Sequence, residues 1–333
     1  LEGVNKKTAV ILFNLGGPDS LDAVKPFLFN LFNDKAIIGA PGPIRWLLAK
    51  YISGKRAPIA RDIYAKIGGR SPLVPQTEAQ ARVMEQSLGE DYRCFIAMRY
   101  WHPFAHETVE AVKEWGANQV ILLPLYPQFS TTTTGSSLKQ WENEAIRCGL
   151  DLPTVTVCCY PVQPDLVAAM ADLVRKGYDE ASAHGRPRVL FSAHGLPKAV
   201  IERGDPYQAQ VELTAAAVAS ATGIADLDWS ICYQSRVGPM EWIGPSTEAE
   251  LHRAAADKVP VVVVPVAFVS EHSETLVELD MEYRHLALEA GIPAYVRVPA
   301  LGCHPRFIEG LVRLIRHPAH GGACKQLGRR CPC

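Results

Sequence analysis

Short apolar runs alternate with helical patterns along the whole chain, and the order of those runs occurs twice. Candidate strands fall at Thr8 to Asn14, Arg93 to Met98, Gln119 to Pro124 and Thr154 to Cys159, then again at Arg188 to Ser192, Trp229 to Tyr233, Val259 to Pro265 and Ala294 to Val298. Strands separated by helix-length segments need crossover connections, so the pattern predicts parallel βαβ units. The segments at the strand ends correspond as well: FIAMRYWHP answers SICYQSRVGP, and VILLPLYPQFSTTTTGS answers VVVVPVAFVSEHSET. Two similar four-stranded halves account for this, against the general self-similarity of α/β chains. The boundary is expected between Tyr160 and Pro187, with Leu166 to Lys176 as a connecting helix and Ala181 to Pro187 as its loop. The expected division is an N-terminal half over residues 4–160, a C-terminal half over 161–322 and a cysteine-rich tail over 323–333.

A chain of 333 residues can bury a sizeable core, and 48% hydrophobic with 21% charged residues is ordinary globular composition. A formal net charge of -1 gives no electrostatic footprint for nucleic acid. No apolar run approaches the roughly 20 residues that span a bilayer, and no basic-then-apolar leader opens the sequence. These features predict a soluble protein of a reducing compartment, cytoplasmic or in an organelle matrix.

In VLFSAHGLP, Val189 to Pro197, an apolar strand ends at Ser192-Ala193-His194 and breaks at Gly195 and Pro197. Ligands of open α/β sheets sit beyond the carboxyl ends of the strands, which places His194 where a proton-handling imidazole is useful. A turn histidine that satisfies local backbone is the plain alternative. Asn14-Leu15-Gly16-Gly17-Pro18 also follows a strand, and paired glycines can expose N–H groups to an anion. Without GxxxxGK[ST] or GxGxxG, however, neither ATP nor NAD is indicated.

Phe27, Leu28, Phe29, Leu31 and Phe32 crowd one segment, and Ile44, Leu47, Leu48 and Tyr51 recur at helical spacing with Arg45, Lys50, Lys55 and Arg56 among and after them. An apolar stripe edged with basic residues lies on a membrane surface or closes over a flat apolar ligand, although a core helix shows the same periodicity. Arg70 follows Gly68-Gly69 in a loop. Arg99-Tyr100-Trp101 at one strand end and Met240 with Trp242 after another pair cations and aromatic faces. Ser130 opens a Thr-rich loop, Thr131 to Thr134.

The richest constellation runs from Ser270 to Glu289. At α-helical spacing Glu271, Glu274, Glu278, Glu282 and His285 fall within an arc of about 80°, with Leu276, Leu279, Tyr283 and Leu286 opposite. A solvated face is the ordinary explanation. Carboxylates stacked at i, i+4 and i+8 without basic partners repel one another, at a few tenths of a kcal/mol per pair. Such a row suits a divalent cation or a path for protons.

FSAHGLP, VAFVSEHSETLVELDMEY, QSRVGPMEWIGP, YPQFSTTTTGSSL and KIGGRSPL, with compatible order and spacing from about Ala9 onward, resemble the ferrochelatase family. The resemblance implies α/β architecture with two Rossmann-like halves, each with a four-stranded parallel sheet flanked by helices, and insertion of ferrous iron into protoporphyrin IX in a cleft between them. It implies that His194 receives pyrrole protons and Glu274 handles metal or protons, with His272, Glu278 and Glu282 as a relay. Which of His194 and Glu274 meets iron first stays open. Tyr100, Met240 and Trp242 would grip the ring, Ser130 would line the pocket, and Arg99, Lys55, Arg56 and Arg70 would meet the propionates. Residues 27–52 would form a lip that also offers peripheral contact with the inner membrane.

Nine cysteines include Cys324, Cys331 and Cys333 near the C-terminus. Some ferrochelatases carry a 2Fe-2S cluster on C-terminal cysteines, so the resemblance implies one here. Animal enzymes place an internal ligand in the loop where this chain has Thr131, so the fourth ligand is expected to be Cys158 or Cys159. A zinc site or a tail of unligated thiols is the rival. Coproporphyrin ferrochelatase, a cobalt chelatase of the sirohydrochlorin type and a non-catalytic tetrapyrrole carrier are the competing functions.

Overall fold

The computed structural model describes residues 6–236 and 240–318. The chain divides into two units, one running to Cys159 and rejoined by the end of the last helix from Leu311, the other Tyr160–Gly310.

The first unit contains β1 (Thr8–Asn14), α1 (Val24–Phe32), α2 (Gly42–Ala65), α3 (Leu73–Leu88), β2 (Tyr92–Met98), α4 (Ala105–Trp115), β3 (Gln119–Pro124), α5 (Thr134–Arg147) and β4 (Thr154–Thr156). Its four strands are parallel, in the order β2-β1-β3-β4. Every residue of β1 is buried, as a central strand covered on both faces requires. Ile11, Phe13, Val109, Val112, Leu122 and Trp141 form the core on one side.

The second unit contains α6 (Pro164–Ser182), β5 (Arg188–His194), α7 (Lys198–Glu202), α8 (Tyr207–Ala221), β6 (Asp228–Gln234), α9 (Thr247–Asp257), β7 (Val261–Pro265), a π-helix (Glu274–Glu282), α10 (Tyr283–Glu289), β8 (Tyr295–Arg297) and the start of α11 (Pro305–Arg316), whose residues from Leu311 belong to the first unit. Its strands are again parallel, in the order β6-β5-β7-β8. The two sheets therefore have the same topology, and the fold is the α/β arrangement of two four-stranded halves that the repeated pattern predicts.

Several boundaries differ from expectation, among them those of β5, the two edge strands and α6. Strand β5 extends through His194, which pairs in register with Gln234, so the histidine is anchored in the sheet rather than carried by a loop. The edge strands β4 and β8 are shorter than their apolar runs, because each pairs with a neighbour over three residues. Cys158 and Cys159 consequently lie beyond β4 rather than in it. Finally, α6 is longer than the stretch Leu166 to Lys176, since Pro164 starts it one residue after Gln163, whose side chain caps Leu166 N–H at 2.7 Å.

The glycine pair after β1 serves packing. Gly16 holds a φ of 84°, and a Cβ on Gly17 would lie 2.4 Å from the Ser71 hydroxyl, so the loop needs two residues without side chains whatever it binds. Helix α2 carries its apolar stripe outward: Ile44, Leu47 and Tyr51 are more than half exposed, and Trp46 and Leu48 are also exposed. Among the described residues no helix is long and apolar enough to cross a membrane.

Candidate functional site

Strand β5 delivers His194 at its carboxyl end, and a close backbone approach follows. A Cβ at Gly195 would meet the Gln234 carbonyl at 2.9 Å, while Gly195 N–H donates to that carbonyl at 2.8 Å. Only glycine fits there, which explains the HG pair of the motif. The next residues are stitched to the Trp242 segment through Ile243 N–H to Leu196 O at 3.0 Å and Lys198 N–H to Glu241 O at 2.9 Å.

Opposite the histidine stands the first residue of the π-helix. His194 Nδ1 lies 2.8 Å from Glu274 Oε2, which also accepts from Gln234 Nε2 and the Ser235 hydroxyl, each at 3.2 Å. One step behind, Glu278 accepts from Ser235 N–H at 2.8 Å, from the Ser235 hydroxyl and from the Tyr283 hydroxyl at 3.1 Å. Ser235 reaches both carboxylates because its backbone holds a φ of 61°, a left-handed conformation uncommon for a residue with a side chain. The His194 side chain remains 41% exposed, so its second nitrogen, Nε2, is turned away from the carboxylate and available to a ligand.

The electrostatics divide the roles. Burial opposes a charge on His194, but the Glu274 carboxylate and, more weakly, Glu278 overcome it and raise the imidazole pKa above 6.5. Burial alone would raise Glu274, yet His194, His272 and the Gln234 amide hold it down at about 2. Glu278 moves the other way, raised by burial and by the negative charge of Glu274. Two neighbouring carboxyl groups are thus pushed apart, Glu274 toward the anion and Glu278 toward the protonated form. His272 is lowered chiefly by burial; its Nδ1 accepts Glu274 N–H at 3.3 Å and its ring packs on Phe268.

The acidic row differs in part from the α-helical expectation. A turn closed by an i→i+5 bond, such as that from Tyr283 N–H to Glu278 O, holds more residues than an α-turn. Tyr283 accordingly keeps its ring in the core while turning its hydroxyl to Glu278, although α-helical spacing puts it on the opposite side. Glu271 leaves the row altogether, bound to Arg297 at 2.6 Å and to Ala300 N–H at 2.9 Å, so the expectation of carboxylates without basic partners fails for it. Glu282 is exposed, and His285 pairs with Glu289 at 3.2 Å.

In the first unit the predicted residues fall into two groups. Tyr100 is fully buried among Val24, Phe27, Leu28, Ala57 and Tyr64, and its hydroxyl donates to Asp34 Oδ2 at 2.8 Å. It therefore supports a wall and does not offer its face to a ring, a correction to the gripping role. Arg99 pairs with the same carboxylate at 2.9 Å and donates to the Ser136 hydroxyl at 2.7 Å, which ties up the charge expected for a propionate. Asp34, which no sequence pattern marks, accepts from Tyr100, Arg99 and Ser136, and its pKa falls below 3.8 because these donors and the Arg99 charge outweigh its burial. Ser130 is buried and accepts Thr132 N–H at 3.1 Å. Lys55, Arg56 and Arg70 are exposed, with Lys55 over Tyr51 and Arg56 over Phe32.

In the second unit Met240 is exposed and Trp242 half-buried against Gly195, the residue after His194. Cys158 is buried and disulfide-bonded, and Cys159 is half-buried. Cys324, Cys331 and Cys333 lie outside the described residues.

Two parallel four-stranded α/β halves are the fold shared by solved chelatases. SirB from Bacillus subtilis, solved with Fe3+, shares the fold at a TM-score of 0.54 and 13% identity, over 94% of this chain and 96% of that one. CbiX, described as the terminal enzyme for biosynthesis of sirohaem in denitrifying bacteria, matches at 0.50 and 12%, over 94% of this chain and 100% of its own. Within that class the chain belongs to the ferrochelatase family, whose profile matches residues 7–319. A ferrochelatase of Caulobacter vibrioides strain NA1000 is 52% identical over 345 residues, covering 99% of this chain and 98% of that protein. One from Wolbachia sp. subsp. Drosophila simulans is 53% identical over 312 residues, covering 92% and 98%. The chain is thus an enzyme, a lyase of the terminal step of haem biosynthesis.

Proposed function

We propose that the chain inserts ferrous iron into protoporphyrin IX to give protohaem, with His194 and Glu274 at the reacting centre. The observation that carries this reading is the 2.8 Å contact of His194 with Glu274, backed by Glu278, in a chain of the ferrochelatase family.

Metallation needs two pyrrole N–H protons to leave, the ferrous ion to lose water, and the ring to pucker toward the metal. His194 receives a proton at Nε2 while Glu274, anionic over the working range, steadies the imidazolium through Nδ1. Glu278, with its pKa raised, takes up a proton more readily than Glu274, so His194 receives the two pyrrole protons in turn, each time giving its Nδ1 proton to Glu274, which passes it at once by way of the Ser235 hydroxyl toward Glu278. The same anionic carboxylate favours a dication near His194, which joins metal delivery and proton egress in one place. His272 fixes the start of the helix, and Glu282, exposed on the next turn, is the outer member of the relay. Met240 and Trp242 contact the ring face, Ser130 and Tyr100 shape the first unit, and Lys55, Arg56 and Arg70 meet the propionates. Arg99 acts by fixing Asp34. No nucleotide enters the scheme.

Anaerobic incubation of the protein with ferrous iron and protoporphyrin, then with coproporphyrin, tests the reading. The expected result is loss of free-porphyrin fluorescence with the metalloporphyrin spectrum appearing, faster for protoporphyrin. A carrier binds with no such spectral change, and a coproporphyrin enzyme reverses the order of rates.

A 2Fe-2S cluster on Cys158, Cys324, Cys331 and Cys333 belongs to the same proposal. Cys158 is favoured over Cys159 because it is buried and already joined to another sulfur, so a second cysteine reaches it. When bound, the cluster stabilises structure and supplies no step of the reaction. Cys158→Ser is expected to abolish visible absorption and acid-labile sulfide while lowering the thermal midpoint; a wild-type protein without either signal ends this part of the proposal.

The outward stripe of α2, with Lys50, Lys55 and Arg56 nearby, supports peripheral contact with an anionic bilayer by a protein of the cytoplasm.

A further inference from the structure

The π-helix that carries Glu274 and Glu278 is an awkward element. Wide i→i+5 turns are rare and occur mostly as single turns at functional sites, so a nine-residue stretch needs outside support. On the side away from Ser235, much of that support comes from the short edge strand β8.

Arg297, with a side chain only 9% exposed, reaches two carboxylates at once. Its Nη1 meets Glu271 Oε1 at 2.6 Å, and its Nη2 meets Asp280 Oδ2 at 3.2 Å. Glu271 lies just ahead of the π-helix and Asp280 near its far end, so a single guanidinium holds both flanks. Asp280 is further held by Arg284 at 2.6 Å, and Arg284 Nη1 donates to the Tyr295 carbonyl at 2.7 Å. From the other end of β8, the Tyr295 hydroxyl donates to the Leu279 carbonyl at 2.5 Å, satisfying a backbone acceptor inside the wide turns. These contacts are all made away from His194, Glu274 and Glu278.

The geometry points to β8 as a clamp: Arg297 and Tyr295 hold the wide-turn register of residues 274–282 and so set where Glu274 and Glu278 stand relative to His194. Arg297 is a positioning residue in this scheme, which rests on the iron-insertion reading above. Both faces of the helix then have an assignment. On one side Glu274 meets the imidazole, with Glu278 behind it on Ser235; on the other, Asp280 with the preceding Glu271 is bound to guanidinium. A planar fork is required because a lysine ammonium is a point charge and cannot bridge two carboxylates in fixed directions.

Two variants test the clamp. Arg297→Lys keeps the charge and loses the bridge, and Tyr295→Phe removes one hydroxyl while keeping the ring. Amide hydrogen exchange is expected to rise over residues 274–282 in both, with β5 and β7 unchanged. Turnover is expected to fall about tenfold in Arg297→Lys, the usual cost of losing an outer positioning contact, with the KM for porphyrin unchanged. Tyr295→Phe should fall less. Exchange that stays at the wild-type level overturns the clamp, as does exchange that rises evenly across the unit or a faster-exchanging helix with wild-type kcat. Should wild-type protein insert no iron, the functional reading fails, while the exchange comparison still decides whether β8 holds the helix.

Discussion

His194→Ala is expected to remove iron insertion while leaving porphyrin binding within a few-fold of wild type. General acid–base groups contribute about 10²–10⁴-fold, and in the proposed scheme this imidazole is the proton acceptor. The substitution sits at the open end of a strand whose preceding residues, Val189 to Ala193, stay buried, so the sheet keeps its packing. Stopped-flow absorbance with ferrous iron, and fluorescence quenching for binding, separate the two effects. A variant that turns over at the wild-type rate removes His194 from the mechanism; one that loses binding in proportion makes it a wall residue.

Glu274→Gln is the second substitution with a large effect, and its sign depends on the pair. Glutamine keeps the shape and loses the charge that lifts His194, so the imidazole pKa drops and the acid limb of the pH–rate profile moves to lower pH. Turnover falls about 10–100-fold, because the imidazolium formed during the reaction is no longer steadied. The same pair governs stability. His194 has a raised pKa in the folded protein, so its contribution is complete below 6.5 and disappears as pH rises through the folded value. Glu274 is lowered from 4.5 to about 2, so its contribution is complete above 4.5 and is lost as pH falls toward 2. Both contributions are present together between pH 4.5 and 6.5, and unfolding of wild type and Glu274→Gln should differ most there. An acid limb that stays in place would falsify the coupling.

The architecture is legible in the sequence because parallel strands buried on both faces read as near-continuous apolar runs, and VLFSAH or VVVVP can hardly be anything else in a chain with this alternation. His194 and Glu274 are legible by the same route, as polar residues at and beyond the ends of such runs. The details behind them are not. A 3.6-residue period cannot reveal an i→i+5 helix, so it puts Tyr283 on the wrong side and counts Glu271 with a row it does not join. Arg99 and Tyr100 read as ligand contacts because a cation beside an aromatic at a strand end fits a site, yet Asp34, more than sixty residues earlier, claims both. Nothing local announces a partner so far away in the chain. Ser235 is visible only as part of a loop, since a left-handed backbone at a serine leaves no mark on composition.

The shared strand order gives every position in one sheet a counterpart in the other. Asn14 closes β1 opposite Met98, as His194 closes β5 opposite Gln234. The asparagine spends its amide on Thr77 and the Leu15 N–H, fixing its own loop, where the histidine meets a carboxylate. One blueprint is used twice, and in the proposed scheme reactive chemistry occupies a single copy of the equivalent place, leaving the other sheet free to specialise in shape.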